Sequence, residues 1–136
     1  QLLGDVAASV GIPVLGAVAA GGLVDTFDDV QDHLDLAPVL ETRGLFALTV
    51  NGDSMVDAHI ADGDVVLMEP VTDPQRLRDG TVVSALVAGS GTTLKHFHRQ
   101  GPTVVLEAAN PAYSPIELPA DQVQVQGKLV AVWRKV

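Results

Sequence analysis

Residues 81–98 read TVVSALVAGSGTTLKHFH. Thr81 to Val87 and Thr92 to His98 are rich in β-branched and apolar residues, and Ala88-Gly89-Ser90-Gly91 between them supplies the turn. This pattern predicts a β-hairpin. The bias extends along the chain, which holds 22 valines but only one Trp, one Tyr and three Phe. Valine favours a pleated, half-buried surface over a helix bundle. Thirteen glycines and eight prolines supply many turns. At 136 residues the chain is the length of one domain and can bury a core without disulfide staples. The absence of cysteine rules out disulfides, thiolate metal sites and a cysteine nucleophile. A formal charge of −9 argues against a phosphate-binding surface, and 47% hydrophobic content argues against disorder.

Outward from the hairpin, further short strands are expected at Leu45 to Asn51, Val65 to Glu69, Thr103 to Glu107, Val123 to Val125 and Lys128 to Val136. Gly127 reads as a bend or bulge between the last two. Ser54 to Ile60 fits one or two helical turns, with Asp53 or Ser54 as N-cap. Asp62-Gly63-Asp64 is a turn, and Pro70 to Gly80 a polar connection. Asn110-Pro111 and Ser114-Pro115 mark loops. Residues 25–35 are acidic and read as a solvated loop or helical turn, and residues 1–11 as a linker remnant. The expectation is a mostly β, compact domain of seven or eight short antiparallel strands with one or two short helical turns.

Ile12 to Val24 is an apolar run of small residues. Its Ala17-Val18-Ala19 matches a signal-peptidase pattern. A basic segment should precede such a signal, yet residues 1–42 contain no Lys or Arg and Asp5 lies upstream. The run is shorter than the roughly 20 apolar residues that span a bilayer. An extended or buried segment with a flexible Gly21-Gly22 pair is the better reading.

Chemistry is sparse. His96 and His98 share one strand face, but no metal-ligand spacing accompanies them or His33 and His59, so surface histidines and no metal are expected. Gly89-Ser90-Gly91 lacks the spacing of a phosphate loop, and no cofactor motif is present. Ser54 follows a strand and a Gly-Asp pair. It reads either as an N-cap or as an exposed nucleophile flanked by backbone N–H groups. By alternation Lys95 shares a face with Thr93 and Phe97. It either snorkels to water or is desolvated. Full burial lowers a lysine pKa by up to about 3–5, enough to make the amine a general base toward serine. Ser–Lys dyads are a known variant of the serine-nucleophile scheme.

Three segments occur together in a telling order. Val50-Asn51-Gly52-Asp53-Ser54-Met55, followed by Ile60-Ala61-Asp62-Gly63-Asp64, resembles the nucleophile region of LexA-type self-cleaving repressors, V-x-G-x-S-M then I-x-D-G-D. Thr93-Leu94-Lys95-His96-Phe97 resembles that family's lysine-bearing strand. Ile12-Pro13-Val14-Leu15-Gly16 and Val18-Ala19-Ala20-Gly21 resemble its cleavage region. Glu107 to Ile116 and Gly127 to Val132 are similar to its closing strands, so the resemblance covers nearly all of residues 12–136.

The resemblance implies Ser54 as nucleophile, Lys95 as general base and Ala20–Gly21 as the scissile bond. It also implies an oxyanion hole at the backbone N–H groups of Asp53 and Ser54. Residues 12–136 would be an autoproteolytic and dimerisation domain of a cytoplasmic repressor of the DNA-damage (SOS) response. The RecA–single-stranded DNA filament would stimulate cleavage. Operator DNA would be bound only by a helix-turn-helix domain absent from this chain. Two departures stand out: a Ser54-to-Lys95 interval slightly longer than usual, and histidines at 96 and 98 where relatives carry basic or apolar residues. Alternatives are a UmuD-like or phage-repressor-like self-cleaving protein, or a non-enzymatic dimerisation module. A signal-peptidase relative would need a membrane anchor, and no such span is present in the sequence.

Overall fold

The computed structural model describes residues 11–18, 20–21, 32–41 and 44–136. The chain divides into two units, residues 1–43 and 44–136. In the first, β1 (Ile12–Val14) pairs antiparallel with β2 (Asp32–Leu34), with Pro13 opposite His33. A two-stranded ribbon is all edge, so the N–H that Pro13 lacks costs it no partner strand. α1 (Ala37–Leu40) is a single turn that begins where Asp35 Oδ1 accepts from Ala37 N at 3.0 Å. The run expected at 12–24 is thus extended at its start, and its described residues, 12–18 and 20–21, are exposed rather than buried; 19 and 22–24 lie outside the described residues. The acidic loop or helical turn expected at 25–35 becomes a strand at Asp32–Leu34, and residues 25–31 lie outside the described residues.

The second unit is a seven-stranded antiparallel sheet. Its strands are β3 (Phe46–Thr49), β4 (Val65–Pro70), β5 (Thr81–Val87), β6 (Gly91–Gln100), β7 (Thr103–Glu107), β8 (Ile116–Pro119) and β9 (Val123–Trp133). They are ordered β3-β4-β9-β5-β6-β7-β8. The β5–β6 hairpin pairs as its alternation requires, with Val83 opposite Lys95 and Val87 opposite Gly91. Short 3-10 turns occupy Val56–Ala58, Pro74–Arg76 and Ala120–Gln122.

β9 holds the sheet together. Its residues 127–133 pair with β4 and its residues 123–128 with β5, and each ladder contains one register shift. The two strands expected on either side of Gly127 are therefore one. The expected bulge falls beside Gly127, where the register against β5 shifts between Ser84 and Ala85, and Gly127 also marks a close approach: a Cβ there would lie 2.7 Å from Phe46 Cζ. β8 was not expected, because prolines crowd its ends.

Two apolar clusters form the core. One gathers Val83, Ala85, Phe97, Val104 and Leu106 from β5, β6 and β7. The other gathers Met55, Ile60, Val66 and Met68. At roughly 25 cal/mol per Å² of buried apolar surface, these side chains carry the stability. The second cluster also sets the site, because Met55 directly follows Ser54.

Candidate active site

Ser54 lies in the loop that leaves β3. Gly52 turns that loop with φ +97°, a conformation L side chains rarely adopt. Its N–H donates to Asp62 Oδ1 at 2.7 Å. Val50 N and Val50 O pair with Asp64 O and Gly63 N, both at 2.8 Å. The Asp-Gly-Asp turn thus grips the chain just ahead of the serine. Asp64 is itself buried and held by a two-pronged ion pair, with Arg134 Nε and Nη2 each 2.7 Å from a carboxylate oxygen. Behind the serine, Met55 is buried with Ile60.

Ser54 is not a helix cap. The 3-10 turn at Val56–Ala58 has Met55 at its cap position and receives no side-chain cap hydrogen bond. Ser54 instead lines a cleft of about 250 Å³, with Leu48, Val50, Met55, Thr93 and Leu94 among the other walls.

Lys95 sits on β6, opposite Val83. It does not snorkel: the residue is only 8% exposed. Its Nζ contacts three oxygens, Thr93 Oγ1 at 2.6 Å, Ser54 Oγ at 3.2 Å and Leu94 O at 3.2 Å. Among the described residues the ion pairs are made by Arg76, Lys128 and Arg134, not by Lys95. Burial without a counter-ion disfavours the ammonium form, so the Lys95 pKa lies below its ordinary value.

The geometry of the amine is informative. A neutral amine has two N–H donors and one lone pair. Thr93 Oγ1 and Leu94 O can take the two donors, leaving the lone pair for the Ser54 hydroxyl proton. In that form the amine stands where a general base toward the Ser54 hydroxyl would have to stand.

The loop after β7 braces the serine loop from another direction. Asp57 N donates to Ala109 O at 2.8 Å. Asn110 Nδ2 donates to Asp53 O at 2.9 Å, and the Tyr113 hydroxyl donates to Asp53 Oδ1 at 2.5 Å. The carboxylate holds the phenol proton and raises the Tyr113 pKa. From sequence Asn110 read only as a loop marker within the family resemblance, and Tyr113 carried no signal.

Other expected residues fall elsewhere. Ala20 and Gly21 form an exposed bend in the first unit, and a Cβ on Gly21 would meet nothing within 4 Å. Ala19 lies outside the described residues. His96 is half-buried, with Nδ1 2.8 Å from Gly80 O, rather than a free surface residue. Among the described residues no group of three or more His, Asp or Glu side chains could hold a metal ion, and no helix is long and apolar enough to cross a membrane.

Residues 13–130 match the family described as Peptidase S24-like. The chain is 42% identical over 128 residues to a LexA repressor of Koribacter versatilis, covering 94% of this chain and 59% of that protein. It is 41% identical over 128 residues to a LexA repressor of Paramagnetospirillum magneticum, covering 93% and 53%. It thus spans little more than half the length of these relatives. A mostly β domain with these motifs in this order, matched over nearly its whole length, belongs to the Peptidase S24-like family and is of the type found in LexA repressors.

Proposed function

We propose that this chain is the self-cleaving, dimerising domain of a LexA-like repressor of the DNA-damage response, and that it cuts its own Ala20–Gly21 bond. The observation that carries the reading is the 3.2 Å approach of the buried Lys95 Nζ to Ser54 Oγ at a cleft wall. Neutral Lys95 takes the Ser54 proton as Oγ attacks the Ala20 carbonyl carbon. The N–H groups of Asp53 and Ser54 receive the oxyanion. The lysine ammonium then returns the proton to the Gly21 nitrogen, the C–N bond breaks and an Ala20–Ser54 ester remains. Water hydrolyses the ester with Lys95 again as base.

The loop's own hydrogen bonds support the oxyanion assignment. They use the amides of Gly52 and Val56, on either side of Asp53 and Ser54. The substrate is tethered, so its effective concentration is high. The rate is then set by the docked fraction of the cleavage segment and the neutral fraction of Lys95.

Residues 1–11 act as a linker and 12–136 as the functional domain. The RecA–single-stranded DNA filament favours the docked state. Operator DNA is bound through a helix-turn-helix domain outside these 136 residues. Homodimerisation is supported by the exposed apolar Val130, Val132 and Trp133 on β9.

The test is intact mass against time at alkaline pH without any partner. Cleavage between Ala20 and Gly21 that is lost in both Ser54→Ala and Lys95→Ala is the expected result. A chain that stays whole, or an active Lys95→Ala variant, overturns the reading.

A further inference from the structure

The Asp53 carbonyl is the most heavily engaged group next to the serine. It accepts from Asn110 Nδ2 at 2.9 Å and from Val56 N at 3.3 Å. This carbonyl and the Ser54 N–H belong to one peptide unit. Among the described residues every peptide bond is trans, so the two point in opposite directions. Whatever fixes the Asp53 carbonyl therefore aims the Ser54 N–H.

Asn110 is itself fixed. Its Oδ1 accepts from Ala112 N at 2.9 Å, and its main-chain carbonyl accepts from Tyr113 N at 3.1 Å. Both ends of the amide are used, one as acceptor within its own turn and one as donor across to Asp53. Only an amide of this length offers both roles at once; a carboxylate would turn an acceptor toward the Asp53 carbonyl. Tyr113 adds a third tie through the Asp53 carboxylate. Asp57 N on Ala109 O keeps the two loops in register.

We propose that Asn110, supported by Tyr113, is a positioning residue that aims the Ser54 N–H at the oxyanion. This rests on the self-cleavage reading and adds to it a group that touches neither the substrate nor the Ser54–Lys95 pair. Losing one oxyanion donor outright slows acyl transfer by about 10²–10³-fold. A misaimed donor is a milder defect, of about 10–100-fold on the same scale.

The experiment follows first-order self-cleavage across pH for the unmodified chain and for Asn110→Ala, Asn110→Asp and Tyr113→Phe, with thermal melting in parallel. Asn110→Ala and Asn110→Asp are expected to lower the plateau rate while the pH midpoint, which reports Lys95, stays in place. General loosening of the serine loop would instead move the midpoint, because it would separate Ser54 from Lys95, and that result overturns the proposal. Tyr113 is exposed, so Tyr113→Phe tests the same clamp without disturbing the core, with a severalfold slower plateau expected. Wild-type plateau rates in a folded Asn110→Ala chain, or in Tyr113→Phe if neither Asn110 variant folds, overturn the role of the clamp alone. An unmodified chain that stays whole at every pH overturns the self-cleavage reading and the clamp together.

Discussion

Thr93 Oγ1 lies 2.6 Å from Lys95 Nζ, the shortest of the three hydrogen bonds to that amine. The two residues are neighbours on one face of β6, so strand alternation alone brings them together. The hydroxyl has two opposing effects. As an acceptor it favours the ammonium form, and as a fixed partner it orients the neutral amine toward Ser54. Thr93→Val keeps the shape and removes both. The pH midpoint of self-cleavage should fall, because an acceptor for the charged form is gone. The plateau rate should drop about tenfold, less than the roughly 10²–10⁴-fold that a whole general base contributes, because Lys95 itself remains. A pH–rate profile separates the two effects, and a midpoint that rises would contradict the geometry.

Lys95 also links activity and stability to pH. Its pKa is lowered by burial, and the neutral form is the reactive one. The cleavage rate should therefore rise about tenfold per pH unit and level off below the ordinary lysine pKa of about 10.4. Stability moves in the same direction. With a folded pKa below the unfolded one, the folded state binds fewer protons, so stability increases as pH rises through the window between the two values. Lys95→Met should abolish cleavage yet melt higher than the parent near neutral pH. That gain should disappear above the unfolded lysine pKa. Melts at neutral and strongly alkaline pH check it; a variant that melts lower at neutral pH would count against burial as the cause.

Sequence pattern carried much of this fold because its signals are local. The period of two places Thr93, Lys95 and Phe97 on one face, and β5, β6 and β7 fall close to where that period puts them. The order of motifs likewise pointed to Ser54 and Lys95. What stayed hidden depends on distant partners. Whether Lys95 snorkels or is buried is decided by the packing around β6, not by its own strand. Gly127 reads as a bend or bulge, but its close approach to Phe46 from β3 has no signal in its own strand. Asn110 reads as a turn residue until its amide meets Asp53, 57 positions earlier in the chain. Ser54 kept its cap reading only until Met55 occupied the cap position.

Arg134 and Asp64 tie the end of β9 to the turn that grips the serine loop. The Arg134 guanidinium and the Ala61 N–H hold the Asp64 pKa at about 2, below its ordinary 3.8. A carboxylate with a depressed folded pKa stabilises the fold above its unfolded pKa. That contribution is lost as pH falls through the interval from 3.8 toward 2. Arg134→Gln should therefore melt lower than the parent at neutral pH, and the two curves should converge as pH approaches 2. Thermal melts across that acid range decide it. A difference that persists unchanged at the acid end would assign the effect to packing of the arginine stem instead.

Gly127 offers the sharpest test of the β9 register. It pairs with Pro70 on one side and Ser84 on the other. A methyl group there would approach Phe46 Cζ to 2.7 Å and Glu69 O to 3.1 Å. The Phe46 ring can turn aside only by leaving the cluster around Met55 and Met68, and the Glu69 carbonyl is tied into the β4 ladder. Gly127→Ala should thus destabilise the domain by about 1–3 kcal/mol, the usual range for overpacking a core. Chemical denaturation measures this directly. The double variant Gly127→Ala with Phe46→Leu should recover part of the loss, since the shorter side chain vacates the space nearest the new methyl. If the two changes simply add, the contact with Phe46 is not what requires glycine at 127.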